Sequence, residues 1–429
     1  MSTKPPARLG KQVALMPPPP AFSKDFTRPM SVPEEGIEAA VEVMRSGRLF
    51  RYSAKPEESQ VSLAEREFAA MVDAKHALAV NSCSSAILLA LMVAGVRAGD
   101  EVLTNGFTFT AVPSTIMRLG AAPVLVEAAE GWTMDLRDLE AKAEAHPSAK
   151  VLLLSHMRGK ICDMDAVAAL CAARGLTLVE DCAHACGVLW RGKQLGHHGA
   201  VSAYSTQSDK VINSGEGGFL TTDDDERIAT AIYLSGAYEK RYAWHLSAPA
   251  EQCEAAMLTT PNLSCRMSEV TAAMARPLIK NLPERVAEYN RRYALVLSTL
   301  AAHAAGLISV PSQLPAVRGV GDHLNFMLSG LSAEANAAFE ATCRSLGVPV
   351  ANFASAINAR YHVNWREYGA PPYELPQTDA LLGRSYDLKL PPHFEDADCV
   401  HLAEVIAFAA RSAALGDNID ADAHAPFRP

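Results

Sequence analysis

The segment AYSTQSDKVINSGEGGF (203–219) carries the residue most open to chemistry, Lys210, in a polar turn between two strand-like runs. A loop lysine is by default a solvated surface charge. Beside a carbonyl cofactor it would instead be a Schiff-base nucleophile. The following Gly215, Glu216, Gly217 and Gly218 permit positive φ or close backbone approach. Asp181 ends the strand-like run LTLVED (176–181). A carboxylate there is costly to bury unless it meets a positive group, or it caps the next segment. NSCSSA (81–86) sets Ser82, Ser84 and Ser85 before a very apolar stretch. Hydroxyls beside the free N–H groups of a helix start suit a phosphate, and equally a plain serine N-cap. Phe107 and Phe109, in FTFT, could face a flat cofactor or simply pack in the core.

Other chemistries lack their patterns. No GxxxxGK[ST] occurs, and no GxGxxG follows a strand. Cys182, His184 and Cys186 recur at i, i+2, i+4, which does not match zinc spacing, and no second ligand pair accompanies them, so no metal is expected. The acidic run Asp223–Glu226 reads as the first turn of a helix, where acids favour the helix dipole, rather than as a cation site.

These residues need elements to hold them. Short apolar runs at 76–82, 101–107, 122–128, 150–156, 176–181, 201–206 and 217–222 read as strands, and helical segments separate most of them. Earlier helices are expected at 32–47 and 62–74. Alternation of this kind predicts an α/β fold with a largely parallel sheet covered on both faces. Its ligands are then expected at the carboxyl ends of the strands, where Ser82, Phe109 and Asp181 fall. From Glu269 to about Ala302 the sequence reads as continuous helix, and after Gly319 a smaller α/β unit begins. The expected organisation is a flexible Pro-rich arm (1–24), a large domain (25–275) and a small C-terminal domain (276–429).

The composition agrees with an ordinary globular chain: 429 residues, 49% hydrophobic and 20% charged. With 39 basic against 48 acidic residues the net charge is −9, which offers no overall footprint for nucleic acid. Nine cysteines without a dense framework suggest reduced thiols, and no apolar run reaches the length of a membrane span. A soluble cytoplasmic protein is expected, with neither nucleic acid nor membrane as partner.

Taken in order, LAVNSCSSAILLAL, AGDEVLTNGFTFTA, LGAAPVLVE, DMDAV, LVEDCAHACG, YSTQSDKVINSGEGGFLTTDD and RMSEVTAAMA resemble the DegT/DnrJ/StrS sugar aminotransferases, a family of fold type I enzymes that use pyridoxal 5'-phosphate. The similarity runs from about residue 30 to about 412. It implies a large domain with a mostly parallel seven-stranded sheet between helices, and a smaller C-terminal α/β domain. Lys210 aligns with the lysine that carries the cofactor as a Schiff base, and Asp181 with the acid that pairs with its pyridine nitrogen. His184 aligns with a position that contacts the ring hydroxyl, and Phe109 with the aromatic that stacks on the ring. Ser82, Cys83 and Ser84 align with the phosphate-binding turn, and Ser205 with a further phosphate-binding serine.

Four departures stand out. Cys83 replaces a glycine, so its backbone must avoid a glycine-only conformation. Ser208 and Asp209 precede Lys210, where Asp209 could alter the lysine's surroundings. Ser264, with Asn262 nearby, stands where the family has an asparagine that reaches the phosphate of the neighbouring subunit. Arg158 and Lys160 add positive charge near the expected mouth, which bears on an acidic substrate.

The implied reaction moves an amino group from glutamate or glutamine to a keto-sugar, commonly nucleotide-linked, in amino-sugar biosynthesis. A non-nucleotide cyclic or polyol ketone is an alternative acceptor, and a cofactor-binding regulatory protein without turnover is another reading. A few relatives are dehydratases with His at the lysine position; Lys210 argues against that chemistry. The family builds its sites at a subunit interface, so a homodimer is expected. The loop 236–260, with Tyr238, Arg241, Tyr242, Trp244 and His245, suits either a sugar nucleotide or a dimer contact.

Overall fold

The computed structural model describes residues 17–368 and 370–416. Seven strands form the main sheet: β1 (His76–Val80), β2 (Glu101–Asn105), β3 (Ala122–Val126), β4 (Val151–Ser155), β5 (Thr177–Asp181), β6 (Val201–Ser205) and β7 (Gly218–Thr222). Each coincides with a run expected from the sequence. Their spatial order is β1–β7–β6–β5–β4–β2–β3. All neighbours are parallel except β7, which runs against both β1 and β6. The polar turn that holds Lys210 returns the chain beside β6, and this sets β7 antiparallel.

Alternate side chains along each strand face opposite layers. Leu78, Val80, Leu153, Val179 and Leu220 pack in one core with the helices Cys83–Val93 and Asp225–Ser235. Ala77, Ala79, Leu152, Leu154 and Phe219 pack in the other with Gln60–Val72 and Glu269–Lys280. Burial on both faces explains why the strands read as continuous apolar runs. Asp224 accepts from the N–H groups of Glu226 and Arg227, so the acidic run is a helix cap, as its position suggested.

The second sheet contains β8 (Ile308–Ser309), β9 (His323–Leu328), β10 (Ala351–Asn352) and β11 (Ser385–Lys389), ordered β8–β9–β11–β10 and antiparallel throughout. The helices Ala333–Ser345 and Asp396–Leu415 cover it. Helix Leu282–His303 joins the two cores: Val286 and Tyr289 sit in the first, Val296 and Leu300 in the second.

Three expectations are corrected. The stretch 269–302 is two helices that meet at Asn281, where Pro283 starts the second. Residues 250–259, read as loop, form the helix Ala250–Thr259. The arm was expected to be flexible through residue 24, but Phe22 is buried in the second core, and its N–H donates to Leu346 O at 2.8 Å. Its ring packs on Phe26 and Phe394. Residues 1–16 of the arm lie outside the described residues. Among the described residues no helix is long and apolar enough to cross a membrane.

Candidate active site

The carboxyl ends of the parallel strands open on a cavity of about 500 Å³, to which β9 and β11 of the second sheet also contribute lining residues. Lys210, Asp181, His184, Phe109, Ser82, Cys83, Ser84, Ser205 and Arg158 all line it. Residues from five separate stretches of chain thus meet at one place.

Lys210 is held by a tight turn. Its N–H donates to Gln207 O at 2.8 Å, and Ser214 N–H to Thr206 O at 2.8 Å. Gly217 at φ +152° lies so close to Thr206 that a Cβ there would stand 2.4 Å from its hydroxyl, so only glycine fits. Lys210 Nζ stands 3.1 Å from His184 Nε2. Burial, and then the charge of Arg158, lower the amine's basicity to about pKa 8. The imidazole of His184 is held well below its ordinary pKa by burial first and by Lys210 and Arg158 next.

Asp181 is buried at the end of β5. Its Oδ2 accepts from Ser155 Oγ at 2.8 Å and its Oδ1 from Ala183 N–H at 3.0 Å. Ser155 was not expected. It ends β4, and the parallel register pairs it directly with Asp181. Strand register is not written in either run alone.

Ser82 caps the helix Cys83–Val93, its Oγ accepting from Ser85 N–H at 3.1 Å. The serine cap is thus observed, and it leaves other first-turn N–H groups of the helix without an intrahelical partner. Gly218 presses on this turn: a Cβ there would lie 2.8 Å from Cys83 N and from the carbonyl carbon of Ser82. Cys83 begins the helix and is not among the positive-φ residues, so the glycine-to-cysteine departure costs no backbone strain. Burial, and then Asp181, push its thiol well above the usual range.

The small sheet supplies residues the sequence reading did not find. Asp387 on β11 pairs with Arg158, and Lys389 pairs with Asp209. Asp209 lines the same cavity as Lys210 but is paired with Lys389. Arg360 and His323 also line the cavity. They come from stretches more than 100 residues beyond Lys210, with no periodic signal to mark them.

Several site expectations are not met within this chain. Lys160 is buried over the Trp132 ring at 5.5 Å and lines a different cavity. Arg158 at φ +54° and Gly159 at φ +65° make the left-handed turn that sends these two cations to different cavities. Tyr238 and Arg241 do not line the Lys210 cavity either. The Arg241 guanidinium stacks on Trp244 at 4.6 Å and on Tyr238 at 5.7 Å, in an aromatic cluster with Tyr52. Asn262 and Ser264 are exposed and apart from the cavity of their own chain, and Ser264 Oγ accepts from Arg266 at 2.9 Å. Cys182 and Cys186 are buried while His184 faces Lys210, so the three do not form one cluster. His156, Glu180 and Cys182 do lie close together. The Glu180 carboxylate there is already taken by His156 at 3.0 Å and by the N–H groups of His198 and Gly199 at 2.8 and 2.7 Å.

A mostly parallel sheet between two helical layers, with a lysine at its carboxyl edge, a buried aspartate at a strand end and a helix N-terminus beside them, has the architecture of the fold type I transferase class. The crystal structure of 3-amino-5-hydroxybenzoic acid synthase shares this fold at TM-score 0.76 and 27% identity, covering 91% of this chain and 99% of that one. An aminotransferase from Psychrobacter cryohalolentis superposes at TM-score 0.76 and 25% identity, over 89% of this chain and 98% of that one. The sequence model of the DegT/DnrJ/EryC1/StrS aminotransferase family matches residues 31–407, and the chain belongs to that family of aminotransferases.

Among curated relatives, the spore coat polysaccharide biosynthesis protein SpsC of Bacillus subtilis (strain 168) is 35% identical over 60% of this chain and 64% of its own length. The 3-amino-5-hydroxybenzoate synthase of Amycolatopsis mediterranei (strain S699) is 32% identical over 75% of this chain and 82% of its own. A GDP-perosamine synthase of Vibrio cholerae is 36% identical over 42% of this chain and 50% of its own. The matches thus span less than two thirds of two of these three relatives.

Proposed function

We propose that this protein is a pyridoxal 5'-phosphate-dependent aminotransferase that takes its amino group from glutamate or glutamine and delivers it to a keto-sugar, a nucleotide-linked one in the leading reading. The observation that carries this is Lys210: a half-buried amine at pKa about 8, 3.1 Å from a neutral histidine, sharing one cavity with Asp181. The cofactor, when bound, supplies a carbonyl for the lysine and an electron sink for the substrate carbon.

The residues fit that group. Ser84, Ser205 and the unpaired N–H groups that open the helix Cys83–Val93 offer donors to a phosphate, in a cradle that a Cβ at Gly218 would fill. Asp181, fixed by Ser155, offers an anionic oxygen to a protonated ring nitrogen. Phe109, 42% exposed at the cavity, offers a flat apolar face.

Lys210 does the proton work. With a pKa of about 8, its Nζ is free of its proton in a usable fraction of molecules, so it can take the proton from the donor carbon and, in the second half of the cycle, give one to the acceptor carbon. His184, kept neutral, can accept a hydrogen bond from that amine and orient it. His323 of β9 and Asp387 and Lys389 of β11 complete the wall of the cavity.

A second copy of the chain completes the site in this reading, bringing Asn262 and Ser264 toward the phosphate. The exposed apolar residues Ile37, Met44, Leu49, Phe50 and Leu263 support such a face, with Arg266 over the Phe50 ring at 5.3 Å. The acceptor class follows relatives named for polysaccharide and perosamine synthesis. The relative named for an aminobenzoate supports a cyclic, non-nucleotide ketone as the alternative. Release of 2-oxoglutarate from glutamate in the presence of keto-sugars tests the reading. Its absence with every donor and acceptor would leave a protein that binds the cofactor without turnover.

A further inference from the structure

Among the described residues, four Lys and Arg side chains line the Lys210 cavity: Lys210 itself, Arg158, Lys389 and Arg360. Lys210 is committed to the chemistry. Arg158 is paired with Asp387, whose other oxygen accepts from Asn325 at 2.8 Å. Lys389 is paired with Asp209. Among the described residues Arg360 makes no ion pair and its guanidinium no hydrogen bond, and its Nε is buried without a partner. Burial, and then the charge of Arg158, lower its pKa to about 10, against a smaller opposing pull from Asp387 and Asp209.

Its place is built rather than accidental. Tyr361 bridges to Phe107 at the end of the first turn beyond β2, which pins the segment to the large sheet. Arg360 N–H donates to Asn358 Oδ1 at 3.0 Å, closing the turn before it. The guanidinium then lies 5.9 Å from the ring centroid of Phe109, at the cavity. Arg158 is held at a left-handed φ of +54° at the same cavity, a conformation that non-glycine residues keep mainly where the surroundings impose it.

We propose that Arg360 is the carboxylate-binding subsite of this cavity, receiving a substrate carboxylate on its guanidinium fork. The assignment rests on the transaminase reading, in which each turnover must seat the α-carboxylate of an amino acid close to Lys210. Among the described residues the cavity offers one cation free to receive it. A planar guanidinium matches a carboxylate with two parallel hydrogen bonds, which fixes orientation as well as charge. The same chemistry would seat an acceptor that carries a carboxylate, and the test separates the two sources.

The test compares Arg360→Gln and Arg360→Lys with the wild type, all loaded with pyridoxal phosphate. Glutarate, a dicarboxylate without an amine, is titrated by calorimetry, and KM and kcat are measured for glutamate and for two cyclic ketones, one neutral and one bearing a carboxylate. Arg360→Gln is expected to weaken glutarate binding by about tenfold or more, as loss of a charge-assisted pair implies. Arg360→Lys, which keeps the charge and loses the fork, should fall between. A matching rise in KM for glutamate identifies the donor carboxylate. A rise confined to the carboxylated ketone identifies the acceptor.

If glutarate affinity and every KM stay within about twofold of wild type in both variants, the subsite is overturned, even while turnover upholds the transaminase reading. If instead the wild type yields no 2-oxoglutarate, the transaminase reading fails on its own. The glutarate titration then still decides Arg360: binding that depends on the fork supports the subsite, and binding that does not overturns it.

Discussion

Lys210 Nζ and His184 Nε2 stand 3.1 Å apart, an amine facing an imidazole that burial and the amine's own charge keep unprotonated. Asp181 lies at the same cavity and favours the protonated amine, but burial and Arg158 outweigh it. The cost of this arrangement falls on Lys210, whose charged form the fold disfavours.

That cost has a pH signature. The folded pKa is about 8 against an ordinary 10.5, so between these values the unfolded chain holds the extra proton. Stability of the cofactor-free protein therefore rises with pH across that window, and the penalty is present in full below about 8. Lys210→Met is expected to be more stable than wild type at pH 7, by about 1 kcal/mol after allowance for partial solvent access, and equal to it above pH 10.5. Urea unfolding at both pH values measures this. A variant less stable than wild type at pH 7 would contradict it.

Asp181→Asn removes the anion while leaving a side chain of the same shape beside Ser155 and Ala183. Cofactor should still bind, held by the helix-start cradle. The half-reaction with glutamate is expected to slow by about 100-fold or more, the usual scale for one removed electrostatic partner. Stopped-flow absorbance reads that rate directly, and a rate within threefold of wild type would refute the role given to Asp181.

Arg51 and Glu65 form a fully buried pair at 2.7 Å, with His245 bonded to both Arg51 and Tyr52. Burial pushes the Glu65 carboxyl up, but Arg51 and then His245 outweigh it and hold the pKa at about 2. The stability this carboxylate contributes is present above its ordinary 4.5 and is lost as pH falls from there through about 2. Glu65→Gln strands a buried guanidinium and should destabilise the protein by about 3 kcal/mol at pH 7. Arg51→Met together with Glu65→Leu should cost less than Glu65→Gln alone. Thermal unfolding of the two variants checks the order.

Much of this was legible in the chain itself. The seven strands show as apolar runs because each is buried on both faces, and Asp181, Ser82 and Phe109 show because they follow such runs directly. Neighbours across strands did not show. Ser155 meets Asp181 only through parallel register, and β7 takes its place between β1 and β6 through a turn whose sequence does not state its direction. Arg360, Asp387 and Lys389 arrive from the second sheet, so nothing near Lys210 in sequence points to them. Lys160 was misplaced for a local reason: two successive left-handed residues, one of them not glycine, decide which cation faces which cavity.

The account stands on Lys210 as the residue that carries the cofactor. Two lysines compete for that role on basicity alone, since burial also lowers Lys160 to about pKa 8. Incubation with pyridoxal phosphate, reduction with borohydride and peptide mass analysis tell them apart. The account predicts one pyridoxyl group, on the peptide that contains Lys210, and none in Lys210→Ala. A label on Lys160, or an undiminished label in Lys210→Ala, would contradict it.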